Sequence, residues 1–176
     1  IRVALLVIVG TFTQPSLAAS KVELDARVKA ANKKLYEKEP AAQELGGRAA
    51  GMLFFPNIIK GGLGIGAEIG EGALLIDGKT TQYYRLTSLS FGFLAGGQAK
   101  SEAILFMNAE ALRSFVESDG WEAGVDGSIA VIEFGVGKKI DTHSIKDAII
   151  AFVFSNKGLM YDLSLEGTKF WKIEKD

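Results

Sequence analysis

Hydrophobic and polar positions change period once along this chain, and the change divides it in two. Between Ser20 and Pro40 the apolar residues Leu24, Val28, Ala31 and Leu35 recur at helical spacing, a narrow stripe on a charged segment. Ser20 followed by Glu23 makes a capping box and Pro40 closes the run, so the spacing predicts a helix signed at both ends. Arg27, Lys34 and Lys38 lie along one flank of the stripe. A second, shorter helix is predicted from Pro40 through "AAQELGGRAA", weakened by Gly46 and Gly47.

From Met52 onward the period becomes two. In "LGIGAEIGEGALL", Gly62, Gly64, Gly66, Gly70 and Gly72 share one parity, and Leu63, Ile65, Ala67, Ile69, Ala73 and Leu75 share the other. "IDGKTTQYYRL" adds an Asp-Gly turn and a return strand. Three further segments repeat the theme. "SLSFGFLAGGQAKSEAILF" mixes glycine with Phe91, Phe93 and Leu94, and "DGWEAGVDGSIAVIEFGVG" alternates from Trp121 to Val131. "AIIAFVFSNKGLMYDLSLEGTKFWKI" reads as a hairpin around Asn156-Lys157-Gly158. Asn108 caps a helix through "AEALRSFVES". The fold class is therefore α+β: a glycine-rich, mainly antiparallel and possibly barrel-like sheet, an N-terminal helical segment, and one or two further helices.

The glycine run raises the question of a nucleotide site. From Gly62 the relaxed dinucleotide pattern ends acceptably at Ala67, yet a Rossmann turn must open a helix, and here strict alternation continues to Leu75. Gly78-Lys79-Thr80 has the end of a phosphate loop, but Ala73 stands where its first glycine belongs. Glycine on one strand face instead admits a large side chain or another backbone directly onto the sheet. Phe91, Phe93, Tyr83 and Tyr84 are the candidates to fill that space.

Composition narrows the classes. The 176 residues suit one domain with a real core, and 48% apolar with 23% charged residues is a globular balance. A formal net charge of −1 gives no basic field for nucleic acid. The opening "IRVALLVIVGTFTQPSLAAS" has Arg2, an apolar core from Val3 to Val9, a break at Gly10 and Pro15, and small residues Ser16 and Ala18 suited to a signal-peptidase site. Residues 1–19 are expected to be a cleavable signal peptide, and 20–176 a single domain with helices over 20–50 and a sheet-rich body over 51–176. The core is too short for a bilayer span, which needs about 20 residues. Export to the periplasm or full secretion follows. With no cysteine, neither disulfides nor a lipoprotein anchor are expected.

Catalytic chemistry finds little footing. His143 is the single histidine, in the polar turn "KKIDTHSIK", and without cysteine no metal set of ordinary spacing can form. Glu68 and Glu71 have opposite parity and face opposite sides of a strand. Asp126 and Glu133 stand in apolar strands, where burial would shift their pKa values. No enzyme, cofactor or metal is expected. Lipid contact has more support. "GMLFFPNIIKGG" sets Phe54, Phe55, Ile58 and Ile59 around Pro56, followed by Lys60, the composition of an apolar loop that dips into a bilayer interface. Arg27, Lys34 and Lys38 would add weak, salt-sensitive attraction, each cation near an anionic surface being worth about 1 kcal/mol. The alternatives are a core strand ending at Pro56 and a helix stripe docked on the sheet.

The blocks "AAGMLFFPNIIKGGLGIGAEIGEGALL", "SFGFLAGGQAKSEAILFM", "GWEAGVDGSIAV" and "FVFSNKGLMYDLSLEGTKF" occur in order from about Ala49 to Phe170, and together they resemble the SYLF-domain family. The resemblance implies lipid binding: eukaryotic members associate with phosphoinositides and some with actin filaments, while bacterial members are exported lipid-binding proteins. An export leader makes membrane phospholipid the implied partner, with actin not expected of an exported member. The competing expectation is an envelope interaction module whose glycine-rich sheet edge pairs with a protein partner.

Overall fold

Ser20 caps the first helix as its spacing predicts: its hydroxyl accepts a hydrogen bond from the Glu23 amide at 3.3 Å, and α1 runs Lys21–Lys38. The Glu23 carboxylate turns to Arg27 one turn on, so the second half of the capping box is replaced by an i,i+4 ion pair. Pro40 opens α2 (Pro40–Arg48) as its first residue, where its missing N–H costs nothing. Asn108 caps α3 (Ala109–Glu117) through the Ala111 amide. The computed structural model describes residues 19–133, 141–143, 145–158 and 164–176. The predicted leader lies outside them, save Ala19.

Gly47 sits in α2 with open space around the position of a Cβ. Gly47→Ala is expected to raise stability by about 0.5–1 kcal/mol, the helix-propensity difference, measured as a shift in urea midpoint. At Gly46 the same methyl would meet the Tyr36 hydroxyl and the Met52 sulfur, so no gain is expected there.

Two long strands dominate the sheet. β1 (Gly51–Ile76) and β2 (Lys79–Phe106) form one antiparallel ribbon closed by Asp77 and Gly78, both at positive φ as a two-residue hairpin turn requires. The other edge of β2 pairs with β6 (Lys169–Ile173) along 83–87 and with β5 (Ile149–Gly158) along 98–106. β3 (Trp121–Glu122) extends from β6, and β4 (Ala130–Glu133) lies parallel to β5. The result is a mainly antiparallel, strongly curled half-barrel with helices, as the α+β expectation holds.

Three sequence expectations need correction. The segment around Asn156-Lys157-Gly158 is not the turn of a hairpin joining β5 to β6, because both strands pair with β2. The alternating run from Trp121 is interrupted by a turn at 123–127, where the Asp126 carboxylate accepts the Glu122 amide at 2.7 Å. Asp126 is accordingly exposed, not buried in a strand. The third concerns the glycine face. Register shifts at Phe55/Ile58 and Leu63/Ile65 bend the ribbon, and β1 doubles back on itself. A Cβ on Gly72 would overlap the Phe54 carbonyl and lie 2.6 Å from the Phe55 ring, and one on Gly70 would lie 2.8 Å from Ile58 Cγ1. The space at Gly70 and Gly72 is filled by β1's own first half, while Tyr83 lies on the opposite face; the side chains of Phe91 and Phe93 lie outside the described residues.

The curl separates two cores. Inside it, Leu53, Phe55, Leu74, Tyr84, Ile104, Phe106 and Phe170 pack with Phe115 of α3 and Trp121. On the outer face, the α1 stripe of Leu24, Val28, Ala31 and Leu35 covers Phe54, Ala73, Tyr83, Ala103 and Phe152. Asp25 fixes this docking by accepting Tyr83 Oη and Thr80 Oγ1, each at 3.0 Å. Burial, helped by that carboxylate, raises the Tyr83 phenol to about 12.

Candidate functional site, an apolar face beside a basic cavity

α1 is shorter than the ribbon it covers. Parity continues the outer face from Ala73 through Ile69 and Ile65, and across the ribbon from Tyr83 to Leu89, past the point where α1 ends. With no helix above them among the described residues, these side chains meet solvent: Leu63 is 83% and Leu89 67% exposed, and Ile59, Ile65 and Ile69 are each more than half exposed. Trp171 stands on the same face, opposite Arg85, 43% exposed, its indole N–H donating to Thr87 Oγ1 at 3.1 Å. Isolated exposed apolar residues are ordinary, but a contiguous set on one sheet face marks an interaction surface.

The sequence-predicted residues divide around this face. Phe54, Phe55 and Ile58 are wholly buried and Lys60 nearly so, all within β1, so the exposed apolar loop does not form. Pro56 and Asn57 make a bulge within the strand instead of ending it. Ile59 alone of that group reaches solvent. Arg27 and Lys34 come together: with Lys157, Asn57, Ser101 and Ser155 they line a cavity of ≈ 520 Å³ between α1 and the edge of the sheet. Lys38 is exposed and outside it. A second cavity, ≈ 480 Å³, runs between Leu24, Ile59 and Ile69, with Glu71 and Arg85 at one end. Those two pair at 2.9 Å, and Lys175 joins Glu71, which holds the Glu71 carboxyl below the usual carboxylate range against the pull of its burial.

Inside the curl lies a feature that the sequence disguised as four surface charges. Lys100 Nζ sits 2.6 Å from Glu68 and 2.9 Å from Glu102, and Lys60 approaches Glu68 at 3.7 Å. All four are at most 5% exposed. Burial raises the Glu102 carboxyl above its ordinary value although Lys100 opposes the rise. Burial pulls Lys100 down, but its two carboxylates outweigh that and leave it raised. Glu68 comes from the far arm of the ribbon and its partners from the near arm, so the quartet ties the doubled ribbon together. Its only sequence signal is parity: Lys60, Glu68, Lys100 and Glu102 fall on the inner face once the fold-back is known.

His143 is exposed in a turn, its amide held by Asp141. Among the described residues no group of three or more potential ligands could hold a metal ion, and no helix is long and apolar enough to cross a membrane.

The architecture is thus that of an α+β half-barrel with an uncovered apolar face and a basic flank. A family model described as "Ysc84: Las17-binding protein actin regulator" matches residues 87–175, from the middle of β2 through β6. That is half of the chain, and the protein belongs to this family, the SYLF-domain family its sequence blocks resemble. The family is known for lipid and actin binding in eukaryotes and is not a known enzyme family. A search among curated proteins found no match.

Proposed function

We propose that this protein is a non-enzymatic lipid-binding domain of the cell envelope that docks on anionic phospholipid through the outer sheet face. The observation that carries this reading is the uncovered set Leu63, Ile65, Ile69 and Leu89, with Trp171 beside it and Arg27 and Lys34 on its flank. Magnitudes favour the apolar face as the main contributor. Fully burying a Leu or Ile side chain is worth roughly 1.5–3 kcal/mol, against about 1 kcal/mol for each cation near an anionic surface. Trp suits such a boundary because its ring is apolar and its N–H polar. The leader-like opening sequence supports export to the periplasm or beyond.

Vesicle co-sedimentation tests this. Wild-type protein is expected to bind anionic vesicles and to lose only a fewfold of affinity when salt is raised to about 1 M, where the Debye length falls to about 3 Å. Leu63→Ser/Leu89→Ser, both at exposed positions, is expected to bind at least about tenfold more weakly with unchanged stability. Binding equal to wild type in that variant would refute docking by this face. Substitution of Phe54 or Phe55 is unsuited to the purpose, since both are core residues.

A second reading has its own observation. β1 pairs with β2 alone among the described strands, so its other edge has no strand partner. A protein ligand adding a strand there would give binding independent of vesicles. Actin filaments, which the family description names through actin regulation, serve as the companion arm of the same sedimentation assay.

A further inference from the structure

The two cavities beside α1 are neighbours that share Arg27, Pro56 and Asn57 in their walls. Their chemistry differs. The first presents Arg27, Lys34 and Lys157, and among the described residues no acidic side chain lines it. The second is walled by Leu24, Ile59 and Ile69, and the charged groups at its end, Glu71 and Arg85, are already paired with each other, with Lys175 also on Glu71. Each volume falls within the range of about 300–1,000 Å³ typical of small-molecule sites.

We infer that the two cavities together hold one anionic phospholipid molecule with a single acyl chain, its phosphate among Arg27, Lys34 and Lys157 and its chain along Leu24, Ile59 and Ile69. The inference rests on the lipid-binding reading and sharpens it from a surface to a molecular site. Arg27 and Lys34 stand two turns apart on one face of α1, and Lys157 faces them from the end of β5, so three cations on two elements converge on one space. Ser155, on the wall, has φ 57, a left-handed backbone that a non-glycine residue rarely adopts and that recurs at ligand clamps. Its hydroxyl is buried and has no hydrogen-bond partner among the described residues, leaving a donor for a phosphate oxygen. Arg27 shares its guanidinium with Glu23 in a half-exposed pair, whereas the ammonium of Lys100 is held by two buried carboxylates, Glu68 and Glu102, and is not counted in the site. The apolar walls of the second cavity give room for one chain, which is why one chain is assigned.

The test is native mass spectrometry and calorimetry of the whole domain with lysophosphatidic acids of increasing chain length, each below its micelle concentration. Glycerol 3-phosphate supplies the headgroup alone and monoacylglycerol the chain alone. One lipid per protein is expected, with affinity rising by up to about fourfold for each added methylene until the second cavity is filled. Lys34→Glu and Ile59→Ser, both at exposed positions, are each expected to weaken binding about tenfold or more. Lys33→Glu, the same charge change outside the cavity, is expected to bind as wild type. Glycerol 3-phosphate or monoacylglycerol binding as tightly as the lysolipid would overturn the two-part site. Vesicle binding without lysolipid binding would overturn it and leave surface docking standing. Loss of both in the wild-type protein would overturn the lipid reading as well.

Discussion

Gly72→Ala is expected to destabilise the fold by about 3 kcal/mol, the upper end of the usual cost of overpacking. The added methyl would overlap the Phe54 carbonyl oxygen and press on the Phe55 ring at 2.6 Å. Neither neighbour has room to yield: the first is backbone in a strand, and the second is buried against Phe170 with ring centroids 5.8 Å apart. Gly61→Ala supplies the control, since its nearest neighbour is a carbonyl 3.9 Å away and the residue is exposed. Urea unfolding of both variants checks the claim. A Gly72→Ala midpoint equal to wild type would mean that β1 does not fold back over this glycine.

Lys100→Met is expected to be at least as damaging at neutral pH. It leaves the Glu68 and Glu102 carboxylates inside the curl with Lys60 as their remaining cation. Breaking a buried pair from one side costs about 3–5 kcal/mol, because the orphaned charge stays desolvated. The loss should depend on pH with a definite sign. Glu102 already has a folded pKa raised by burial, and without Lys100 to oppose the rise it climbs further. The folded variant then binds a proton more tightly than the unfolded chain, whose glutamates titrate near about 4.3. Its stability should therefore rise as pH falls from neutral through the raised value, narrowing the gap to wild type. Lys100→Met/Glu102→Leu should recover most of the loss at neutral pH, since Lys60 and Glu68 remain paired. A Lys100→Met variant whose deficit is the same at all pH values would show that no carboxylate was left unpaired.

Much of this architecture is legible from spacing because its causes are local. Ser20, Pro40 and Asn108 act within one helical turn of themselves, and Asp77-Gly78 sets its own hairpin. The alternation from Met52 to Leu75 is equally local, since parity decides which side chains share a face. What parity does not decide is which face is inside. Apolar residues ordinarily point inward, yet here Leu63, Ile65 and Ile69 point out while Gly66, Gly70 and Gly72 are buried. The reversal arises because the inner face meets the first half of β1 itself, in contacts of Gly72 with Phe54 and Phe55 and of Gly70 with Ile58 that no short window contains. The same fold-back hides the buried quartet, whose members are separated by up to 42 positions, from Lys60 to Glu102. It also moves the lipid candidates: Phe54 and Phe55 pass into the core, and Arg27 and Lys34 acquire a cavity with Lys157, a residue that no spacing along the chain groups with them.

Docking of the outer sheet face on the bilayer can be tested at single positions, because the sequence contains no cysteine. Leu89→Cys and Ser114→Cys each provide one attachment point for an environment-sensitive fluorophore, the first on the apolar face and the second on α3, exposed beneath the opposite side of the sheet. On addition of anionic vesicles, the label at position 89 should shift to the blue and become shielded from aqueous quencher, while the label at 114 should do neither. A shielded label at 114 with an unchanged one at 89, in protein that sediments with the vesicles, would contradict the assignment.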